Sequence, residues 1–135
     1  MNKNFENINN IGFNDWFLNK IPEDKLNEFE IARVSVVHRD SYKINNGIEE
    51  IPAKLLGKLS FSAESPLDFP AVGDWVLVKY YDDNSLAIIH EIIPRKTILK
   101  RKTPGKKVDF QLIAVNIDSA FIIQSLDDNF SIPRL

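Results

Sequence analysis

The chain has 135 residues, 44% of them hydrophobic, with 17 Lys/Arg against 19 Asp/Glu and a formal net charge of −2. That is enough apolar material for one buried core and a small appendage, which excludes a disordered chain. Cysteine is absent, which excludes a disulfide framework, a thiolate metal site and a cysteine nucleophile, and fits a reducing compartment.

The opening MNKNFENINNIGF lacks the apolar stretch of a signal peptide, and no run approaches a membrane-spanning length. The expectation is therefore a cytoplasmic, soluble protein with no membrane partner. Residues 1–12 are polar and rich in Asn, and are expected to fray. Asn14 is placed to cap a short helix through Trp16, Phe17 and Leu18. That helix must stop before Pro22, because the residue preceding proline is pushed out of the helical region. Pro22, Glu23 and Asp24 then suit the first turn of a second helix. Trp16, Phe17, Leu18, Leu26 and Phe29 are expected to cover one side of a barrel rather than to line a ligand site.

Residues 30–39, EIARVSVVHR, are rich in β-branched side chains and read as a strand. Asp40 and Ser41 turn the chain into residues 42–44, and Asn45, Asn46 and Gly47 offer the positive φ angles of a tight hairpin. A third strand spans 48–56, with Pro52 confining part of it to an edge or bulge. Residues 57–72 hold two prolines and no sustained period, and read as a long connection. Two more strands, 74–81 (DWVLVKYY) and 86–93 (LAIIHEII), are joined through residues 82–85. Five short strands with a long third-to-fourth connection predict an all-β fold, a five-stranded barrel of the oligonucleotide-binding (OB) type. An SH3-like barrel is the structural alternative.

Residues 94–107, PRKTILKRKTPGKK, carry Arg95, Lys96, Lys100, Arg101, Lys102, Lys106 and Lys107 and no acid, while the segments before and after carry net charges of −6 and −3. One cationic segment in an acidic chain is the electrostatic footprint of a polyanion partner. A solvated loop is the plain alternative. Residues 108–115 are expected to make a helical turn or two, with Val108, Leu112 and Val115 on one side. Residues 117–126, IDSAFIIQSL, read as a buried strand with no partner strands after it. The chain therefore looks cut at the opening of a second domain, which divides it into a tail with a helical segment (1–29), a barrel (30–93), a basic linker (94–116) and a truncated strand (117–135).

Five blocks carry a resemblance: VVHRDSY at 36–42, IPAKLLGKL at 51–59, PAVGDWV at 70–76, PRKTILKRKTPGK at 94–106 and NIDSAFIIQSL at 116–126. In order and spacing the chain resembles, from about residue 13 to its end, the ribosome small-subunit-dependent GTPase A family (RsgA, also called YjeQ). Two departures lie in or near the linker: Phe110 stands where the family usually has Glu, and the run after Leu126 differs. The resemblance implies an OB domain, then a circularly permuted GTPase domain, then a zinc-binding domain. It also implies GTP, magnesium and zinc for a full-length protein, with the zinc held in the C-terminal domain.

The chain itself is expected to hold none of these cofactors and to have no catalytic residues. A phosphate-cradling loop needs Gly, four residues and Gly-Lys-Ser/Thr, but Gly57-Lys58 leads into Leu59 and Gly105-Lys106 into Lys107. Neither guanine-reading Asn-Lys-x-Asp nor Asp-x-x-Gly occurs. His38 and His90 are the only histidines, too few for a zinc site of the usual kinds. His90 lies in an apolar run and reads as structural. The adjacent carboxylates Glu49/Glu50 and Asp82/Asp83 read as solvated charge.

RNA recognition by an OB barrel combines a basic groove with exposed aromatics and strand-connecting loops. The expected contacts are the first turn, with His38, Arg39 and Tyr42, and the basic segment, with Arg95, Lys96, Lys100, Arg101, Lys102, Lys106 and Lys107. The resemblance places the first strand-connecting loop near the long decoding-site RNA helix. The expected function is RNA binding near the decoding site during late maturation of the small ribosomal subunit, whose rRNA is the expected partner. A protein-interaction adaptor docking an acidic surface through its basic loop is the alternative. The unpaired terminal strand would leave the chain a monomer or a weak dimer.

Overall fold

The computed structural model describes residues 5–39, 41–102 and 110–117. Five strands close into a barrel: β1 (Glu30–Val37), β2 (Tyr42–Asn45), β3 (Glu50–Leu55), β4 (Trp75–Tyr81) and β5 (Leu86–Ile92). Their order around the barrel is β1-β2-β3-β5-β4. Neighbours run antiparallel except β3 and β5, which pair in parallel from Ala53↔Ala87 to Leu55↔Ile89. The five strands thus lie within one or two residues of where β-branched and aromatic runs predict them.

Alternation along the strands sends side chains to two cores. Ala32, Val34, Ile44, Ile51, Ala53, Val76, Val78, Ala87 and Ile89 fill the barrel interior. On the outer face of β1 and β4, Ile31, Trp75 and Leu77 meet Ile8, Phe13, Phe17 and Ile21 of the N-terminal segment. Because β4 is covered on both sides, its first four residues are all buried. The predicted side cover is therefore present, and it begins earlier than the sequence suggests. Helix α1 (Phe5–Asn9) buries Ile8 to 5% exposure, where fraying was expected. So short a helix has no local signal; the packing of Ile8 and Phe5 against the outer-face core holds it.

Helix α2 (Asp15–Leu18) starts as predicted, with Asn14 Oδ1 accepting from the Trp16 amide at 3.0 Å. Pro22 precedes α3 (Glu23–Glu28) as its cap residue. At the β2–β3 turn only Gly47 takes a positive φ, of 91°. Asn45 and Asn46 act instead through their side chains. Asn45 Oδ1 accepts from Gly47 N at 2.7 Å, and Asn46 Oδ1 accepts from both Ile48 N and Glu49 N at 2.9 Å. Such side-chain mimicry of a turn makes a four-residue loop out of what read as a tight hairpin.

The connection from β3 to β4 is not wholly irregular. It holds helix α4 (Gly57–Ser62) and a 3-10 turn over Pro66–Asp68, the latter closed by a capping box between Ser65 and Asp68. Beyond the barrel, residues 98–102 and 110–115 form an antiparallel pair, β6 (Ile98–Lys102) and β7 (Phe110–Val115). This corrects two expectations: the basic segment is part strand, and the segment read as helical turns is strand. The spacing of Val108, Leu112 and Val115 fits a helix, but Leu99 and Ile98 offer β7 a partner at Ala114 and Val115. Non-local pairing outweighs a weak local period. Of the strand expected over 117–126 only Ile117 falls within the described residues.

Candidate nucleic-acid interface

The basic segment leaves the barrel through a buried ion pair. Asp74, fully buried just before β4, accepts from Arg95 Nε and Nη2, each at 2.8 Å, and from the Ala71 amide at 2.7 Å. The Arg95 guanidinium also donates to the carbonyls of Leu67 and Phe69 at 2.8 Å. A planar fork satisfied on both edges is geometry that Lys cannot supply. Arg95, counted in the sequence as one of seven cations, is thus turned inward and ties the 57–72 connection to the barrel.

A second arginine fastens the hairpin. Arg33 on β1 donates to Gly73 O at 3.1 Å, Ile11 O at 2.6 Å and Asn116 O at 2.7 Å, with its guanidinium 5.3 Å from the Trp75 ring centre. Asn116 adopts a φ of 56°, donates through Nδ2 to Gly73 O, and accepts from Lys96 N at 2.7 Å. The N-terminal segment, β1, the turn before β4 and the end of β7 therefore meet at one side chain. Gly73 sits there with a φ of 98°, and a Cβ on it would run into the Val115 carbonyl. Nothing in the composition singles out Arg33; only its place opposite Trp75 in the β1–β4 register does.

The remaining predicted contacts divide into two places. Lys96, Lys100 and Arg101 are exposed along and just before β6. Lys100 and Arg101 are consecutive on a strand, so they project to opposite faces of the hairpin. Lys102 ends β6, and Lys106 and Lys107 lie outside the described residues. The other place is the first turn, where His38 and Arg39 are exposed and Tyr42 is packed into the barrel interior at 9% exposure. Burial raises the Tyr42 hydroxyl above its usual 10.0.

This turn borders an open cleft of about 530 Å3. Its exposed rim carries Val37, His38, Arg39, Lys54 and Ser60, and its more buried floor Tyr42, Leu55, Phe69 and Pro70. Sequence reasoning missed Lys54, Ser60 and Phe69, which come from β3, α4 and the end of the long connection. No spacing links them, since closure of the barrel alone brings them together. Of the nine described residues that line it three are basic and none is acidic, in a chain with a net charge of −2.

Among the described residues no group of three His, Cys, Asp or Glu is arranged to hold a metal ion. Among the described residues no helix is long and apolar enough to cross a membrane.

A closed five-stranded barrel in the order β1-β2-β3-β5-β4, with a helix in its third-to-fourth connection, is an OB-type barrel. Over most of its length the chain is a homologue of the small ribosomal subunit biogenesis GTPases named RsgA. It is 41% identical over 105 residues to the small ribosomal subunit biogenesis GTPase RsgA 2 of Lactiplantibacillus plantarum, an alignment covering 78% of this chain and 29% of that protein. It is 33% identical over 129 residues to RsgA 1 of Bacteroides thetaiotaomicron, covering 93% of this chain and 36% of the relative. The RsgA of Leptospira interrogans is 37% identical over 116 residues, which cover 85% of this chain and 31% of that protein. The chain thus spans about a third of the length of the curated relatives it matches. The crystal structure of YjeQ from Thermotoga maritima aligns with a TM-score of 0.47 and 21% identity, covering 65% of this chain and 27% of that one. No protein-family model matches the sequence.

Proposed function

We propose that this chain is the RNA-binding barrel of a ribosome-biogenesis GTPase, which docks on the rRNA of the small subunit near the decoding site during late maturation. The whole protein would bind and hydrolyse GTP with magnesium, through parts that the described residues do not supply. The observation that carries the reading is the concentration of exposed cations outside the barrel: Lys96 just before β6, Lys100 and Arg101 on it, with Lys102 at its end. Phosphate contacts by such side chains set affinity and register without reading sequence. His38 and Arg39 at the first turn form a second, smaller contact. Homology to proteins named as small-subunit biogenesis GTPases supports the choice of partner.

The test is co-sedimentation of the chain with purified small and large ribosomal subunits across a salt series, beside a variant with Lys100, Arg101 and Lys102 changed to Ala. Selective binding to the small subunit is expected. Every cation–phosphate interaction that the variant removes flattens the slope of log affinity against log salt by about 0.7 to 0.9. Equal binding to both subunits, or an unchanged slope in the variant, overturns the reading. Equal competition by an unrelated acidic protein would point to an adaptor instead.

A further inference from the structure

The cleft beside the first turn differs in kind from the cationic hairpin. The β6–β7 pair carries its charge on exposed side chains, Lys100 and Arg101. The cleft is concave, and its volume of about 530 Å3 lies within the roughly 300–1,000 Å3 of sites that take a small ligand or a single group. Its floor is apolar and partly aromatic, from Tyr42, Phe69 and Pro70, and its rim is basic, from His38, Arg39 and Lys54. A paired helix cannot enter it. A nucleotide turned out of a helix can, placing a flat base on the floor and its phosphate on the rim.

The cleft is also held in shape before anything binds. The Phe69 carbonyl accepts from Arg95 Nη2 at 2.8 Å, so the Arg95–Asp74 pair fixes the segment that brings Phe69 and Pro70 to the floor. Tyr42, also on the floor, pairs with Ala53 across the β2–β3 ladder, beside Lys54. An acidic peptide would satisfy the rim but leave the aromatic floor unused. We infer that this cleft receives one unpaired nucleotide of the bound RNA, its base against Phe69 and the Tyr42 edge and its phosphate on Arg39 and Lys54. The inference rests on the RNA-binding reading above and adds that the barrel distinguishes interrupted helices from continuous ones. Base stacking on aromatic side chains is tolerant of sequence, so the preference is for an unpaired position and not for a given base.

The experiment measures fluorescence anisotropy of two labelled RNA hairpins of equal length with the full 135-residue chain. One hairpin is perfectly paired and the other carries a single bulged adenosine. The bulged RNA is expected to bind roughly tenfold tighter, within the range of a single base–aromatic contact. Phe69→Ala removes that difference, and Phe69→Leu, which keeps much of the apolar volume, reduces it. Lys54→Gln flattens the salt slope of the bulged RNA by about 0.7 to 0.9. Equal affinity for the two hairpins overturns the cleft assignment and leaves the cationic anchor standing. Failure to bind either RNA overturns both. Competition by a poly-glutamate peptide as strong as that of the bulged RNA overturns the nucleotide assignment in favour of an acidic peptide.

Discussion

Arg95 and Asp74 form a bidentate pair, both hydrogen bonds at 2.8 Å, in which Asp74 is fully buried and the Arg95 side chain is 11% exposed. Two residues 21 apart in sequence thus join the start of β4 to the start of the basic segment. The pair converts one cation of a charge run into a structural tie.

Removing one partner of this pair leaves the other as a buried uncompensated charge. Asp74→Ala is therefore expected to destabilise the fold by about 3–5 kcal/mol. It also frees the Ala71 amide from its 2.7 Å acceptor. Arg95→Lys keeps the charge but cannot span both carboxylate oxygens and the carbonyls of Leu67 and Phe69. Urea unfolding checks both: Asp74→Ala should shift the midpoint at constant slope, and a wild-type midpoint in either variant would contradict the role given to the pair.

Gly73 tests the docking of the hairpin on the barrel. An alanine there must adopt a φ of 98° and thrust its Cβ at the Val115 carbonyl. The backbone conformation alone costs about 1–3 kcal/mol. The collision should further loosen Val115 N from its 2.9 Å bond to Val72 O. Amide exchange in Gly73→Ala is expected to accelerate at Val115 and Asn116 more than at Ile89 in the barrel interior. Uniform protection across those three amides would show that the hairpin does not depend on this contact.

Two half-buried rings predict opposite limbs of the stability profile. Burial raises the Tyr80 hydroxyl from 10.0 to about 12. The neutral phenol is favoured in the fold, so its contribution is complete below pH 10 and is lost as pH rises from 10 towards 12. Burial, with Lys79 adding to it, lowers His90 from 6.5. The neutral imidazole is favoured, so stability holds above pH 6.5 and declines as pH falls below it. Its ring centre lies 5.0 Å from that of Phe29, and its Nε2 is buried without a partner. Melting temperature against pH should flatten on the acid side in His90→Phe and on the alkaline side in Tyr80→Phe. Unchanged limbs in both would mean that neither ring titrates in its folded surroundings.

Lys25 and Glu91, with Lys79 and Glu28, illustrate what no local pattern discloses. Each pair joins α3 to β5 or β4, and the four charges look like ordinary solvated residues in the sequence. The cleft is a stronger case. His38 and Arg39 stand beside each other in the sequence, but Lys54, Ser60 and Phe69 become their neighbours only when β3 and the long connection close around the barrel. Arg95 shows the reverse, since its charge was plain in the sequence and its burial was not.

The amino-acid sequence by itself determined the five barrel strands, the Asn14 cap, the helical cover of the outer face and the uneven charge. Those properties follow from local alternation, turn chemistry and composition, which act over a few residues. Tertiary structure decided the pairing of β6 with β7, the inward turn of Arg95, the meeting of four segments at Arg33 and the convergence that makes the cleft. Each of these joins residues far apart along the chain, and its free energy comes from burial and hydrogen bonds that exist only once the barrel has closed.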